Sequence, residues 1–529
     1  MRSNPFIRFG KFALLTLIVS CVCAMIFPPI ATADQWSPGL TVPPNSDGVS
    51  FVDNYQWSAL SSIVANPLTS SNSTDQVECS NFTATGPCAL NSNGTSGTVT
   101  ALLPVCASGT STNCVASMAL GTSADSLVPS TFVSAADDTS TPGDPSLGVP
   151  GGSSVQLWTN PLTNLGATNT YATFVEAQFL LVNGQVSSAT LNAAIYPYNE
   201  IQGTYFAPFL TLSQGSMVVE GGEIECAFTT ATSCGRLEDF PIGTQASLSI
   251  RVSNLVGGWF KGRLHQPIIS ESPFDATSNT ISVNAGVVTV PTLSYVATTA
   301  QVQSDPSLSK FFADLGFPPP PIAAGTYVRT DSPVAFTALN DIRDAVGNVA
   351  SGQITVWNFG TLPAWSSVAG ENASCLNNNS EVEGFVTTNA MAFQSDPPSL
   401  IGGYFTYDVA GMHFNADGSV IQGTYDLVMK DSVAQCLYGF TKAPISATVN
   451  ITEGSTSVES VATTTVQDSD GWLHIGAYGF NFSNPSITVH LIQHSLKKTA
   501  IACVSIRNHH VHRTVRAVRP RCPVGYRKV

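Results

Sequence analysis

Charge is what this chain has least of. Of its 529 residues only 11% are Asp, Glu, Lys or Arg, against roughly 25% in ordinary soluble domains. Solubility therefore has to come from hydroxyls, amides and an unbalanced negative charge. There is no Gly-x-Ser-x-Gly elbow, P-loop, dinucleotide fingerprint or His-Glu-x-x-His motif, and with them go the reaction classes those motifs serve. Histidine occurs eight times, and only His265, His413, His474 and His490 lie between Asp34 and Leu491, which leaves a His-dependent triad few candidates. Cys-x-x-Cys is missing too, so clustered cysteines read as disulfides rather than zinc ligands. No second apolar run of membrane-spanning length follows the first 33 residues, so the mature chain does not read as an integral membrane protein. No cofactor is expected.

Acids are missing altogether from the last 36 residues, His494–Val529, where nine of the 21 Lys and Arg gather: Lys497, Lys498, Arg507, Arg513, Arg516, Arg519, Arg521, Arg527 and Lys528. Between Asp34 and Asp470 the balance reverses: nine Lys and Arg stand against all 35 Asp and Glu, a charge of −26. Phosphates would be repelled by such a body, so a nucleic-acid partner is not expected. The tail is a candidate surface for an anionic wall polymer, anionic lipid headgroups or another acidic protein. The alternative is that it packs on its own acidic body.

The first 33 residues read as a leader. Arg2, Arg8 and Lys11 precede an apolar run from Phe12 to Ile30, and Ala31-Thr32-Ala33 supplies small residues for cleavage before Asp34. Lipoprotein processing at Cys21 is the alternative, although the run stays apolar beyond it. The chain is thus expected to be exported, secreted or envelope-associated. Ten of its twelve cysteines then remain, and an even number in an exported chain points to disulfides. Near-neighbour spacing pairs Cys79–Cys88, Cys106–Cys114, Cys226–Cys234, Cys375–Cys436 and Cys503–Cys522.

Strand signals dominate what lies between. Ala246, Leu248, Ile250 and Val252 alternate with polar residues, as do Ile445, Ala447, Val449 and Ile451, and Ile487, Val489 and Leu491. Residues 97–105 and 280–290 read as strands, the latter stopping at Pro291. Asp417-Gly418 and Asp470-Gly471 carry the signal of type I′ hairpins. Cys436 is expected to begin a strand. A helix is expected from Asp305 as cap and Pro306 in its first turn, with Leu308, Phe311, Phe312 and Leu315 on one face and Gly316 at its end. A weaker helical stretch includes Leu339, Ile342 and Val346. The expected fold is mainly β. A cystine-stapled N-terminal region (34–120) precedes a Ser/Thr/Gly/Pro-rich loop or linker (121–154) and a first antiparallel β-sandwich (155–295). A helix and Pro-rich connector (296–324), a second sandwich (325–493) and a basic disulfide-closed hairpin (494–529) follow.

Several longer strings occur in order: LLPVC from Leu102, GGWFKGRLHQPIIS at 257–270, GTYDLVMKDSVAQCLYGFTKAPISATV at 423–449, DGWLHIGAYGFNFSNPSITVHL at 470–491 and VRPRCPVGYRK at 518–528. Together they resemble a family of secreted actinobacterial β-rich proteins of unassigned function. The resemblance spans most of the chain after residue 33 and carries over no catalytic or binding residues. The closing Cys-Pro-x-Gly-Tyr also looks like a tail on other exported actinobacterial proteins, although those are richer in lysine. With that resemblance the seven Asn-x-Ser/Thr sequons read as products of composition.

Four groupings are chemical candidates. Glu223 and Glu225 flank Ile224, and Glu381 and Glu383 repeat the spacing. Glycosidases use two carboxylates about 5–10 Å apart, but a solvated strand face explains the same pattern. Trp259, Phe260 and Arg263 are either a sugar-stacking platform or core. Asp468, Asp470 and Gly471 lack the remaining ligands of a calcium loop. His509, His510, His512 and His494 would suit a transition metal were Arg507, Arg513 and Arg516 not beside them. No catalytic or metal site is assigned. The function expected is that of an exported, non-enzymatic envelope or surface protein. A carbohydrate-binding or adhesive module is the alternative, and an uncharacterised hydrolase the next.

Overall fold

A computed structural model describes residues 45–52, 61–66, 77–107, 112–137, 140–204, 210–212, 218–221, 225–315, 325–361, 375, 381–394, 396–438, 445–453, 457–460, 463–469, 471–482, 485–493, 499–517 and 520–529. The expected leader with Cys21, the carboxylate Glu223, and Asp470, His494, Lys497, Lys498 and Arg519 lie outside these residues.

The chain is mainly β, in several largely antiparallel sheets. Alternation sets the inner faces. In Gln245–Ser253 the residues Ala246, Leu248, Ile250 and Val252 are fully buried while those between are half-buried. This strand lies in a five-stranded sheet, between Ser278–Gly286 and Cys114–Gly121. Facing it is a 15-stranded sheet whose main path runs through Ser62–Asn66, Ser96–Leu102, Thr170–Val182, Gln185–Gln202, Asn358–Thr361, Gly258–Arg263, Val382–Thr388, Gly423–Lys430, Trp472–Phe480 and Thr463–Ser469. Between the two sheets lies one apolar core, with Phe179, Leu191, Leu248, Ile281 and Trp357 among its members.

The middle of the large sheet is covered on both sides. Phe260, Phe385, Val428 and Trp472 enter the core just described. Their strand neighbours Trp259, Val386, Leu427, Met429 and Leu473 enter a second core on the other side. Period-two alternation places consecutive residues on opposite faces, so one set of strands divides two cores. Gly258–Arg263 and Val382–Thr388 are buried at every position and pair in parallel, the composition expected of strands with no wet face. The second core is closed by Tyr404–Ala410 and Pro485–Gln493, by Ser46–Val52 and Val288–Thr298, and by helices that include Pro306–Asp314 and Pro333–Arg343.

Both helices follow from local sequence. Pro306–Asp314 is capped by Asp305, which accepts from the Ser307 and Leu308 N–H groups, and Pro306 occupies its first turn. Leu308, Phe311, Phe312 and Leu315 are buried as one stripe. Pro333–Arg343 is capped by Ser332 and buries Leu339 and Ile342; Val346 falls beyond its end. The five cysteine pairs are Cys79–Cys88, Cys106–Cys114, Cys226–Cys234, Cys375–Cys436 and Cys503–Cys522.

Four local expectations are corrected. Val288–Thr298 runs straight through Pro291, at the point where its partner changes from Gly352–Val356, paired up to Thr292, to Ser46–Val52, paired from Leu293. A proline is tolerated where the ladder is handed over. Cys436 lies in a helix, Asp431–Tyr438, whose buried Val433, Ala434 and Leu437 form a helical face. Ser469 pairs opposite Trp472 and Gly471 sits at φ +82°, with Asp470 outside the described residues; Asp417-Gly418 is not a two-residue hairpin. There the Asn415 carbonyl accepts from Gly418 N–H at 2.9 Å and Asn415 N–H donates to Ser419 O at 2.8 Å. That is a three-residue turn with Gly418 alone at positive φ, +82°. Finally, hydrogen-bonded pairing crosses the compositional boundaries. Ser96–Leu102, Thr170–Val182 and Gly423–Lys430 share one sheet, and the 121–154 segment contributes Thr131–Ala135, paired to Gln156–Thr159.

Candidate functional site

The tail folds as a three-stranded sheet of its own. Thr499–Ser505 lies in the middle, flanked by His512–Ala517 and Tyr526–Lys528. Cys503 is buried and bonded to Cys522, tying the central strand to the segment that leads into the third. Directly opposed residues of antiparallel strands share a face. Arg513, Cys503 and Lys528 therefore stand in one row on one face, and His512, Val504 and Arg527 in the next row on the other. The hairpin expected from the sequence is present, but its charge is not gathered on one face. The guanidinium of Arg513 lies 5.3 Å from the centroid of the Tyr526 ring.

Arg507, Arg513, Arg516, Arg521, Arg527 and Lys528 are all exposed. Among the described residues none of them forms an ion pair with an acid of the body. His509, His510 and His512 are exposed as well; among the described residues no group of three or more His, Cys, Asp or Glu side chains is placed to hold a metal ion.

The other sequence candidates resolve into structure. Trp259 is only 3% exposed and Phe260 is fully buried, and they enter different cores. The Trp259 indole packs over Gly384, where an added Cβ would come within 2.6 Å of its ring. Arg263 is fully buried: its Nη1 donates to the Thr388 and Ala390 carbonyls, at 3.0 and 2.5 Å, and its guanidinium sits 4.2 Å from the Phe393 ring centroid. No sugar platform is formed by this trio, since its aromatic faces are inside. Glu381 and Glu383 do not share a solvated face either. Glu381 pairs with Lys430 at 2.5 Å, whereas Glu383 is buried, because the pairing register shifts between Gly258 and Trp259 and re-aims the strand. Glu225 is half-buried beside Cys226.

Two polar clusters escape a linear reading. On one face of the dividing strands, Asp331 accepts from Lys261 Nζ at 2.7 Å and Arg329 Nη2 at 3.0 Å. Burial alone would raise its carboxyl, but the two cations prevail and hold it at about 2. On the opposite face Asp426 accepts from the Tyr478 hydroxyl and from the Gln266 N–H, the latter at 3.1 Å. Burial pushes the Asp426 carboxyl up to about 7, and the two neutral donors offset only part of that. Gln266 sits at φ +50°, an uncommon conformation for a residue with a side chain. It lies at the corner where Gly258–Arg263 leaves the large sheet and His265–Pro273 joins the five-stranded one. His265 packs edge-on to Tyr478 at 5.2 Å, and burial lowers its imidazole. His474 meets the Pro267 carbonyl, and its imidazole too is lowered by burial. Asp426 fastens this corner.

Compared with known proteins, the chain matches no protein-family model, and none of the curated proteins matches its sequence.

Proposed function

We propose that the chain is an exported, non-enzymatic protein of the cell envelope or surface, held to an anionic envelope component by its C-terminal sheet. The observation that carries this reading is the tail itself: six exposed Arg and Lys side chains on a cystine-closed sheet that contains no acid. Five disulfides fit an oxidising compartment, and a leader-like segment at 1–33 together with the resemblance to secreted actinobacterial proteins supports the same compartment. A cationic sheet of this kind attracts phosphate or carboxylate polymers and anionic headgroups over roughly 8 Å at physiological ionic strength. With both side chains inside the cores, Trp259 and Phe260 add nothing to the carbohydrate-binding alternative.

Deleting residues 494–529 and following retention in the envelope fraction against salt tests the proposal. The parent chain should be retained at low salt and released as salt rises, and the deleted chain should be released throughout. Equal retention of the two would overturn it.

A further inference from the structure

The tail's sheet has two different ends. At one end two turns lie side by side. The hairpin turn is closed by Ser505 N–H donating to Val511 O at 2.9 Å, with Asn508 O accepting from Val511 N–H at 3.0 Å. The second turn, Pro523–Tyr526, is closed by Tyr526 N–H donating to Pro523 O at 3.0 Å, with Gly525 at φ +86°. Ile506 N–H donates to Gly525 O at 2.9 Å and ties the two turns together. This end carries three large aliphatic side chains in the open: Ile506 at 57%, Val511 at 40% and Val524 at 104% of full exposure. Isolated exposed aliphatics are ordinary on protein surfaces. Three exposed together on two linked turns, in a segment with nine cations and no acid, call for an apolar phase next to a negative one. Arg507 stands in the same hairpin turn, and Arg527, paired opposite Val504 beside His512, follows directly behind it.

We infer that this end is a membrane-interface tip: Ile506, Val511 and Val524 enter the acyl boundary of an anionic bilayer while Arg507 and Arg527 engage its phosphate headgroups. This rests on the proposed anionic partner and names it as lipid rather than wall polymer. A hydrated polymer would reward the arginines alone. A bilayer rewards both sets, since interfacial binding adds buried apolar area to attraction for anionic headgroups. The tail itself carries no acid, so no local repulsion opposes contact at the tip. Each arginine near an anionic surface contributes about fivefold in partitioning, and burying the three aliphatics contributes at least about tenfold more.

The test is cosedimentation of the full chain with vesicles of equal parts phosphatidylglycerol and phosphatidylcholine, beside binding to soluble poly(glycerol phosphate). The chain lacking 494–529 sets the background from the apolar Phe12–Ile30 run. Replacing Ile506, Val511 and Val524 together by Ser should weaken vesicle binding about tenfold or more and leave polymer binding unchanged. Arg507→Ser with Arg527→Ser should weaken both. Should the triple variant lose both, Val524→Ser alone decides, since that side chain is fully exposed: lowered vesicle binding upholds the tip and unchanged binding overturns it. Parent-like vesicle binding by the triple variant overturns the tip as well. Binding of polymer but not vesicles by the parent overturns the tip and leaves the anionic-partner proposal standing. Binding of neither above background overturns both.

Discussion

Asp426 should make this protein less stable as the pH rises. Its folded-state carboxyl titrates at about 7, above the ordinary carboxylate range, because burial outweighs the hydrogen bonds from Tyr478 and Gln266. Between the unfolded and folded midpoints the native carboxyl keeps a proton that the unfolded chain has released. Stability then falls as pH rises through that window, and the full cost is present above it. At about 1.4 kcal/mol per pH unit between the midpoints, ionising the folded carboxyl costs about 4 kcal/mol. Asp426→Asn removes the titration and keeps the shape. An Asn carbonyl can accept from Gln266 N–H, and its amide can donate to the Tyr478 oxygen once that hydroxyl turns, much as the protonated acid does.

The stability advantage of the variant over the parent should therefore grow by roughly 3 kcal/mol between about pH 5 and about pH 8.5, as read from urea midpoints. The titratable groups facing Asp426 are His265, His474 and Tyr478. Both imidazoles are lowered by burial, so their neutral form favours folding above the ordinary imidazole range, and that contribution is lost as pH falls. Their effect opposes that of Asp426, but it is common to both proteins and cancels in the difference. A difference between parent and variant that does not change from acid to alkaline pH would refute the reasoning.

Two further perturbations follow. Trp259→Ala should cost about 3–5 kcal/mol, as removal of a fully packed indole does, and a melting temperature within a degree or so of the parent would contradict its placement over Gly384. Lys261→Met should cost roughly 3 kcal/mol by leaving Arg329 as the ion-pair partner of Asp331 among the described residues; the loss should shrink in acid as Asp331 is protonated, which urea midpoints at low pH would check.

Where the fold was legible, the determinants were local. The Gln245–Ser253 alternation and the cap and stripe of Pro306–Asp314 each need only a dozen consecutive residues, and burial followed both patterns. Near-neighbour cysteines paired as their spacing allowed. One strong local signal lay unused. Asn183-Gly184, at φ +53° and +74°, turns the longest hairpin, Thr170–Val182 with Gln185–Gln202, and Asn-Gly between apolar runs is the pattern such a turn requires. Asp417-Gly418 misled for a physical reason: Ser419 N–H and Oγ bond the Asp417 carboxylate at 2.9 and 2.6 Å, which favours the wider turn. The tail was legible because its charges fall within one short segment; their division between two faces depends on strand register, which composition does not carry.

Asp331 and Asp426 mark where such a reading stops. Asp331 meets Lys261 across 70 residues, and Asp426 meets Gln266 across 160 and Tyr478 across 52. Both lie against the same dividing strands, yet they respond to pH in opposite senses. With two cations beside it Asp331 is held at about 2, so its contribution is present above the ordinary carboxylate range and is lost as pH falls toward that value. With only neutral donors Asp426 is raised to about 7, and its cost appears as pH rises. Burial is common to both; the partners decide the sign. Those partners arrive from strands far apart in the chain, one set for each face of the dividing strands, so the pH response is a property of the sheet order rather than of any motif. A chain with so few charges inside its cores depends heavily on which of them meet. Lys261, Asp331 and Asp426, none of them singled out by a linear reading, therefore carry more of the fold's electrostatics than the many exposed acids of the body.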